Sequence, residues 1–185
     1  MEKLPSLENG DRSYSSNPKK VSILGNKFIS MFHKNRIATI IKHIPGHGLA
    51  KADSHKKIPY VDKSLKYLLK NDFFTFKRKK SIFAMTAHIV FNKLDPLNCV
   101  THSSKIIDLI RNKIGFKNII ISDDISMKAL KYSISINTRK AFKSGCNIVL
   151  HCNGNMNEMV NVAKNSPKIN KFIIKKTLQF KNMLN

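Results

Sequence analysis

An acid and a histidine stand two residues apart in a glycine-containing loop of this chain. Asp53 and His55 follow the segment Pro45-Gly46-His47-Gly48, whose glycines can adopt backbone conformations that are closed to other residues. A carboxylate at this spacing can accept a hydrogen bond from the imidazole, which fixes the tautomer of the ring and raises its basicity. The pair could therefore serve as a general acid and base. A solvated loop histidine beside an unrelated acid would show the same spacing.

Two further sets of residues could carry chemistry. Asp123 follows residues 118–122, the clearest buried strand predicted in the chain. An uncompensated buried carboxylate is costly, so one at this position points to a functional task. His43, His47 and His55 form a set of imidazoles that could bind a metal ion, as in a metal-dependent hydrolase. The residues alone leave these alternatives open.

Helical and strand-like apolar patterns alternate along the chain. Strands are predicted over residues 37–41, 81–88, 118–122 and 147–150. Helices are predicted over residues 21–32, 156–163 and 169–184. Three further helices are predicted from their ends: one is capped by Asp62, one runs from Ser103 or Ser104 to Gly115, and one ends at Gly145. Continuously apolar strands that alternate with helices predict a parallel sheet with both faces covered.

Polar residues follow each of the four predicted strands. They are Lys42-His43, Thr86-Ala87-His88, Ser122-Asp123-Asp124 and His151-Cys152-Asn153. In parallel α/β sheets, whether open or closed into a barrel, the residues just past the carboxyl ends of the strands form the functional site. A scaffold without a site would not need polar residues at all four ends. We therefore expect these segments to form one site.

The composition is that of a folded chain with a large positive charge. The 185 residues include 34 Lys or Arg and 11 Asp or Glu, for a formal net charge of +23, and 42% are hydrophobic. This excludes a disordered chain, and the length suits one domain. A nucleic-acid-binding module is an alternative suggested by the charge. The lysines are nevertheless scattered from Lys3 to Lys181, with one cluster at residues 77–80, which favours a solvated surface and no specific nucleic acid.

The sequence also bears on the compartment. No apolar run approaches the roughly 20 residues of a membrane-spanning helix, and residues 1–10 contain no apolar stretch of the kind found in secretory signals. Cys99, Cys146 and Cys152 are odd in number and far apart, unlike a disulfide framework. We therefore predict a cytoplasmic protein with reduced thiols and no membrane contact.

Several motifs follow one another in a recognisable order. They are Lys42-His43-Ile44-Pro45-Gly46-His47-Gly48, Asp53-Ser54-His55, Met85-Thr86-Ala87-His88, Leu94-Asp95-Pro96 and Ser122-Asp123-Asp124-Ile125-Ser126-Met127. Together they resemble the signature of the glycoside hydrolase family 3 β-N-acetylhexosaminidases, in particular the bacterial enzymes of peptidoglycan recycling. Residues 10–18 and 141–147 also resemble segments of that family, so the resemblance spans nearly the whole chain.

The resemblance implies a retaining β-N-acetylhexosaminidase on a TIM-type (β/α)8 barrel. Such an enzyme removes terminal, non-reducing β-linked N-acetylglucosamine from muropeptides. Asp123 would be the nucleophile of this reaction. His55 would act as the acid in the first step and as the base in the second, and Asp53 would orient it.

The resemblance also implies the residues that hold the sugar. Arg12, Lys42 and His43 match family positions that hydrogen-bond its hydroxyl groups. His47 and His88 are interpreted as structural residues or as residues that support the side chains in contact with the substrate. No metal or organic cofactor is implied.

The chain is short for the fold that the resemblance implies. A barrel of this type needs roughly 250 residues, and the match begins at Gly10, part-way through the family's domain. We therefore predict an α/β fold that is a partial TIM barrel lacking its first strands, with residues 1–185 as a single domain, the C-terminal portion of an N-terminally truncated catalytic barrel. Because an open sheet edge would be exposed, we expect a fragment that is inactive alone, or one to which a separate chain supplies the missing strands.

Overall fold

The computed structural model describes residues 13–50 and 58–184. The helices are α1 (Pro18–Lys34), α2 (Leu65–Lys70), α3 (Ser104–Leu109), α4 (Ile134–Ser144), α5 (Met156–Asn165) and α6 (Lys171–Leu184). The strands are β1 (Ile40–Ile44), β2 (Tyr60–Val61), β3 (Phe83–Thr86), β4 (Val90–Phe91), β5 (Ile119–Asp124) and β6 (Ile148–Leu150). Two 3-10 turns, Phe73–Phe76 and Val100–His102, and a π-helical turn that continues α3, Ile110–Ile114, complete the regular structure.

Four strands form one parallel sheet in the order β1-β3-β5-β6, and β2 pairs with β4 in a short parallel ladder of its own. Neighbouring strands of the larger sheet are thus consecutive along the chain, apart from the short β2 and β4. Helices or helical turns connect them, as in a (β/α) barrel. Within the described residues the sheet is open, with β1 and β6 at its edges. The partial barrel predicted from the sequence is confirmed.

Local capping signals explain where several helices begin and end. The Asn17 side chain accepts hydrogen bonds from the first turn of α1, and Ser103 accepts one from the backbone amide of Ile106 in α3. Gly115 ends the α3 segment in the left-handed conformation, with a φ of 84°. The prediction that Asp62 caps α2 is wrong, because Ser64 directly precedes the helix and takes that position.

β1 and β5 begin or end at other residues than the sequence predicts. β1 begins at Ile40, three residues later than predicted, because the chain is still leaving α1 at Ile37, whose amide donates to the carbonyl of Phe32. β5 extends beyond the predicted segment and includes Asp123 and Asp124. Both acids therefore belong to the tip of a strand in the centre of the sheet.

The main core lies between the sheet and the helices that cover it. It is built from buried side chains of the strands and helices, among them Ile44, Ala84, Ile120, Leu68, Phe73, Ile106 and Ile110. By contrast, every residue of α5 is at least partly exposed. No helix within the described segments is long and apolar enough to cross a membrane.

Candidate active site

The polar residues that follow the strands meet at the carboxyl edge of the sheet. His43 Nε2 at the tip of β1 lies 3.5 Å from Asp123 Oδ2 at the tip of β5. His88, just past β3, has its Nε2 atom 3.0 Å from the carbonyl oxygen of Asp124. At the end of β6, the amide of Cys152 donates to Asp124 Oδ1 at 3.2 Å. The four polar segments therefore meet at this edge of the sheet.

The two adjacent acids of β5 have different surroundings. The Asp124 carboxylate accepts hydrogen bonds from the Ser126 amide at 3.0 Å and the Ser126 hydroxyl at 2.7 Å, in addition to the Cys152 amide. Within the described residues, the Asp123 side chain accepts a hydrogen bond from the backbone amide of Asp124, through Oδ1 at 2.8 Å, and its Oδ2 faces His43. The Asp123 side chain is 16% exposed. Asp124 therefore holds the loop after the strand, whereas Asp123 presents an oxygen to the site.

The His43 imidazole is neutral at neutral pH. Burial lowers the pKa of His43 to about 4. The charge of Asp123 opposes this shift, whereas His47 and Lys42 lower the pKa further. A neutral imidazole offers one donor and one acceptor nitrogen. His43 can therefore hydrogen-bond a neutral hydroxyl group beside Asp123. Lys42, the preceding residue, is exposed to solvent.

The loop after β1 packs closely on Asp72. Gly46 has a φ of +151°, and a Cβ atom there would lie 2.5 Å from the Cβ of Asp72. A Cβ at Gly48 would lie 3.2 Å from Asp72 Oδ1. Burial raises the pKa of Asp72, and a hydrogen bond from the backbone of Gly48 opposes that rise. The two glycines are thus required for close packing, in addition to the backbone freedom expected from the sequence.

The Gly46→Ala variant is expected to lower the free energy of unfolding by about 3 kcal/mol, because it combines backbone strain with overpacking against Asp72. Gly154→Ala is the matched control, since Gly154 also has a positive φ, of 73°, but a Cβ there would meet nothing within 4 Å. Gly154→Ala is expected to lower the free energy of unfolding by about 1 kcal/mol. Urea unfolding of both variants measures the difference, and equal losses would contradict the close packing at Gly46.

The end of β6 forms a smaller polar cluster. His151 Nε2 and Asn153 Nδ2 each lie 2.7 Å from Glu158 Oε2 on α5. These hydrogen bonds lower the pKa of Glu158. The cluster ties the loop after β6 to the first turn of α5, beside the Asp124 loop.

The structure leaves some predicted site residues undescribed and adds others that the sequence did not reveal. Arg12, Asp53 and His55 lie outside the described residues, so their positions stay predictions. Thr86 and Thr101 are buried near Asp123 with their hydroxyl oxygens 2.8 Å apart. Thr86 belongs to a polar segment at the end of a predicted strand, which could have indicated a place in the site. No local sequence pattern marks Thr101.

Metal-ligating residue types do not converge in the part of the chain that the structure describes. No group of three His, Cys, Asp or Glu side chains is close enough there to hold a metal ion. The rings of His43 and His47 lie 5.5 Å apart between centroids. The third histidine of the set considered from the sequence, His55, is outside the described residues.

Comparison with protein families gives one match that covers almost all of the chain. The model described as the glycosyl hydrolase family 3 N terminal domain matches residues 3–179. Among curated proteins, the beta-hexosaminidase of Idiomarina loihiensis is 33% identical over 148 residues, which cover 78% of this chain and 45% of that protein. The beta-hexosaminidase of Haemophilus influenzae is 32% identical over 150 residues, which cover 78% and 43%.

Solved structures show the same likeness in three dimensions. Native NagZ from Neisseria gonorrhoeae superposes with a TM-score of 0.83 and 29% identity, over 96% of this chain and 52% of that chain. The beta-N-acetylglucosaminidase from Thermotoga maritima superposes with a TM-score of 0.75 and 30% identity, over 95% and 41%. The chain thus spans less than half the length of the curated relatives that it matches.

Proposed function

This chain belongs to glycosyl hydrolase family 3, and we propose that it is a retaining β-N-acetylhexosaminidase. Its substrate would be terminal, non-reducing β-linked N-acetylglucosamine on muropeptides, in peptidoglycan recycling. The observation that carries the proposal is the position of Asp123 at the tip of β5, with Oδ2 facing His43 while the neighbouring Asp124 is engaged by its own loop. The names of the matched relatives, beta-hexosaminidase and beta-N-acetylglucosaminidase, support the substrate class.

The proposed reaction has two steps. In the first, an oxygen of Asp123 attacks the anomeric carbon, the glycosidic C–O bond breaks, and His55 donates a proton to the departing oxygen. In the second, water attacks the anomeric carbon of the glycosyl-enzyme, His55 takes a proton from it, and the bond to Asp123 breaks. Asp53 would hold the His55 ring in one tautomer for both transfers.

The proposed sugar contacts come from the strand tip and the N-terminal segment. The neutral His43 lies beside Asp123, where it can hydrogen-bond a hydroxyl of the sugar ring. Lys42 is exposed beside it and can reach a hydroxyl as a cationic donor. Arg12 is proposed as a third ligand from its match to the family motif.

We further propose that residues 1–185 act as a single portion of the catalytic barrel, which strands from a separate chain complete. The edge strand β6 is half-buried along its whole length, and the neighbouring α5 exposes apolar side chains, Met156, Met159 and Val160. At the other edge, Ile37 and Ile40 are exposed. Exposed apolar surface beside a strand that lies at the edge of the described sheet is suited to pairing with further strands.

A cytoplasmic location is proposed together with this function. All three cysteines are free thiols in the structure, and Cys99 and Cys146 are buried. Free thiols are typical of proteins in a reducing compartment. Muropeptide fragments would have to reach that compartment before this enzyme could act on them.

The test is an assay of the purified chain with 4-nitrophenyl N-acetyl-β-D-glucosaminide, with the full-length Haemophilus influenzae beta-hexosaminidase as positive control. We expect release of nitrophenol from this substrate and not from the matching β-glucoside. The rate should be at least tenfold below that of the full-length protein, because the sheet is open within the described residues. Selective cleavage of the glucoside would contradict the substrate class. Full activity of the chain alone would contradict the need for further strands.

A further inference from the structure

Three polar side chains lie fully buried beneath the tip of β5. Thr86 ends β3, His88 follows it by two residues, and Thr101 lies in the 3-10 turn Val100–His102. We refer to these three side chains as the His88 network. Because solvent does not reach them, their polar atoms depend on hydrogen bonds within the protein.

The His88 network joins the backbone of the two site acids at two points. The amide of Asp123 donates to Thr86 Oγ1 at 3.4 Å, and the carbonyl oxygen of Asp124 lies 3.0 Å from His88 Nε2. Between these points, Thr101 Oγ1 lies 2.8 Å from Thr86 Oγ1 and 2.8 Å from His88 Nδ1. The hydrogen bonds therefore run without a break from the amide of one acid to the carbonyl of the next.

The two ends of the network determine the direction of each hydrogen bond. A carbonyl oxygen can only accept, so His88 Nε2 must carry a proton. Burial lowers the pKa of His88, so the ring is neutral and its Nδ1 is an acceptor. Thr101 therefore donates its proton to Nδ1, since its other acceptor, the Ala87 carbonyl, is farther away at 3.4 Å. Thr101 then accepts from Thr86, whose oxygen accepts the amide of Asp123.

The network contacts β5 where the pairing of this strand in the sheet is irregular. The register between β3 and β5 runs from Phe83 with Ile119 to Met85 with Ile121. The register between β5 and β6 shifts between Ile121 and Asp124. Pairing with β6 resumes at Asp124, opposite Leu150. Between Ile121 and Asp124, the Ser122 and Thr86 hydroxyl groups accept the amides of Leu150 and Asp123, so side-chain hydrogen bonds contribute to the position of this part of β5.

We propose that His88, as its Nε2–H tautomer, is a positioning residue that holds the Asp123–Asp124 segment so that the Asp123 carboxylate stays aimed at the sugar. This inference rests on the proposed function for its catalytic consequence. The geometry of the network itself does not depend on that function. His88 acts through the backbone of the two acids and does not touch the substrate.

The first test is a long-range proton–nitrogen NMR spectrum of the uniformly labelled chain at pH 7.5, with the His88 signals assigned by their loss in a His88→Gln variant. We expect a proton on Nε2 and none on Nδ1. In a Thr101→Val variant the Nδ1 resonance should move, because its donor is gone, whereas in Thr101→Ser it should stay near the wild-type position. A proton on Nδ1, or on both nitrogens, would overturn the assignment.

The second test measures kcat and KM of the same variants on the aryl glucosaminide. Thr101→Val is expected to lower kcat about tenfold with little change in KM, because the nucleophile is misplaced while the sugar contacts persist. Thr101→Ser should recover kcat to within about twofold. The matched control is Thr138→Val, since Thr138 is equally buried but donates to Ile134 within α4, and it should retain the wild-type kcat.

The two tests separate failure of this inference from failure of the proposed function. If the wild-type chain cleaves no glucosaminide, the proposed activity of this chain on its own fails, but the nitrogen spectra still decide the tautomer and the role of Thr101. If Thr101→Val keeps the wild-type kcat, or Thr138→Val loses as much, the positioning role of His88 is wrong even with an active enzyme.

Discussion

Replacement of Asp123 by Asn is expected to lower kcat on the aryl glucosaminide by about 10⁴-fold or more, which corresponds to roughly 5 kcal/mol of activation free energy. The amide cannot form the covalent glycosyl-enzyme, so both steps of the proposed reaction are lost. KM should change far less, because His43 and the other proposed sugar ligands are still present. The initial rate of nitrophenol release measures the effect.

The comparison variant is Asp124→Asn at the adjacent position. The Asp124 carboxylate accepts from the Ser126 and Cys152 amides and holds the loop after β5. Its replacement should therefore lower the free energy of unfolding by about 1–2 kcal/mol and reduce kcat less than tenfold. If Asp123→Asn retained turnover, or Asp124→Asn lost as much, the nucleophile would have to be sought elsewhere.

Replacement of His55 by Ala is expected to produce a loss that depends on the leaving group. For a substrate with a poorly acidic leaving group, such as an alkyl glycoside, kcat should fall about 10³-fold, since the departing oxygen needs a proton. With a dinitrophenyl leaving group, which departs without protonation, glycosylation should be much less affected. Kinetics on a series of substrates of graded leaving-group acidity give the slope of log(kcat/KM) for wild type and variant.

The companion variant in that series is Asp53→Asn. Because Asp53 would act by orienting His55, the variant should show the same dependence on the leaving group, with a smaller loss of kcat/KM for each substrate. A loss from His55→Ala that is uniform across the series would rule out proton transfer to the leaving group as its role. The pair would then be interpreted as part of the loop structure.

Apart from the cap of α2, the sequence predicts the helices and their ends well, because their signals are local. The 3.6-residue period, the Ser103 cap and the left-handed glycines Gly115 and Gly145 all act within a few residues of each other. Strand limits were predicted less well. β1 begins three residues later than predicted, because the chain is still leaving α1 at Ile37 and pairing with β3 begins only at Ile40, opposite Phe83.

Part of the candidate site can be predicted from the sequence. The polar segments after the four strands do meet, as parallel strands require, and the family suggested by the motifs is confirmed. Composition alone could not separate Asp123 from Asp124, which are adjacent and chemically identical. The structure separates them by their neighbours, Ser126 and Cys152 for one and His43 for the other.

The alternation of strands and helices, the parallel sheet and the family are predictable from the amino-acid sequence, because apolar periodicity, caps and motif spacing are properties of short segments. Tertiary structure alone decided the approach of Gly46 to Asp72, the orientation of Asp123 toward His43, and the link from Thr101 through His88 to the tip of β5. The residues that meet in each of these contacts are separated by 13 to 80 positions in the sequence. Such pairs are brought together by packing of the whole sheet, so no local pattern of residue types encodes them.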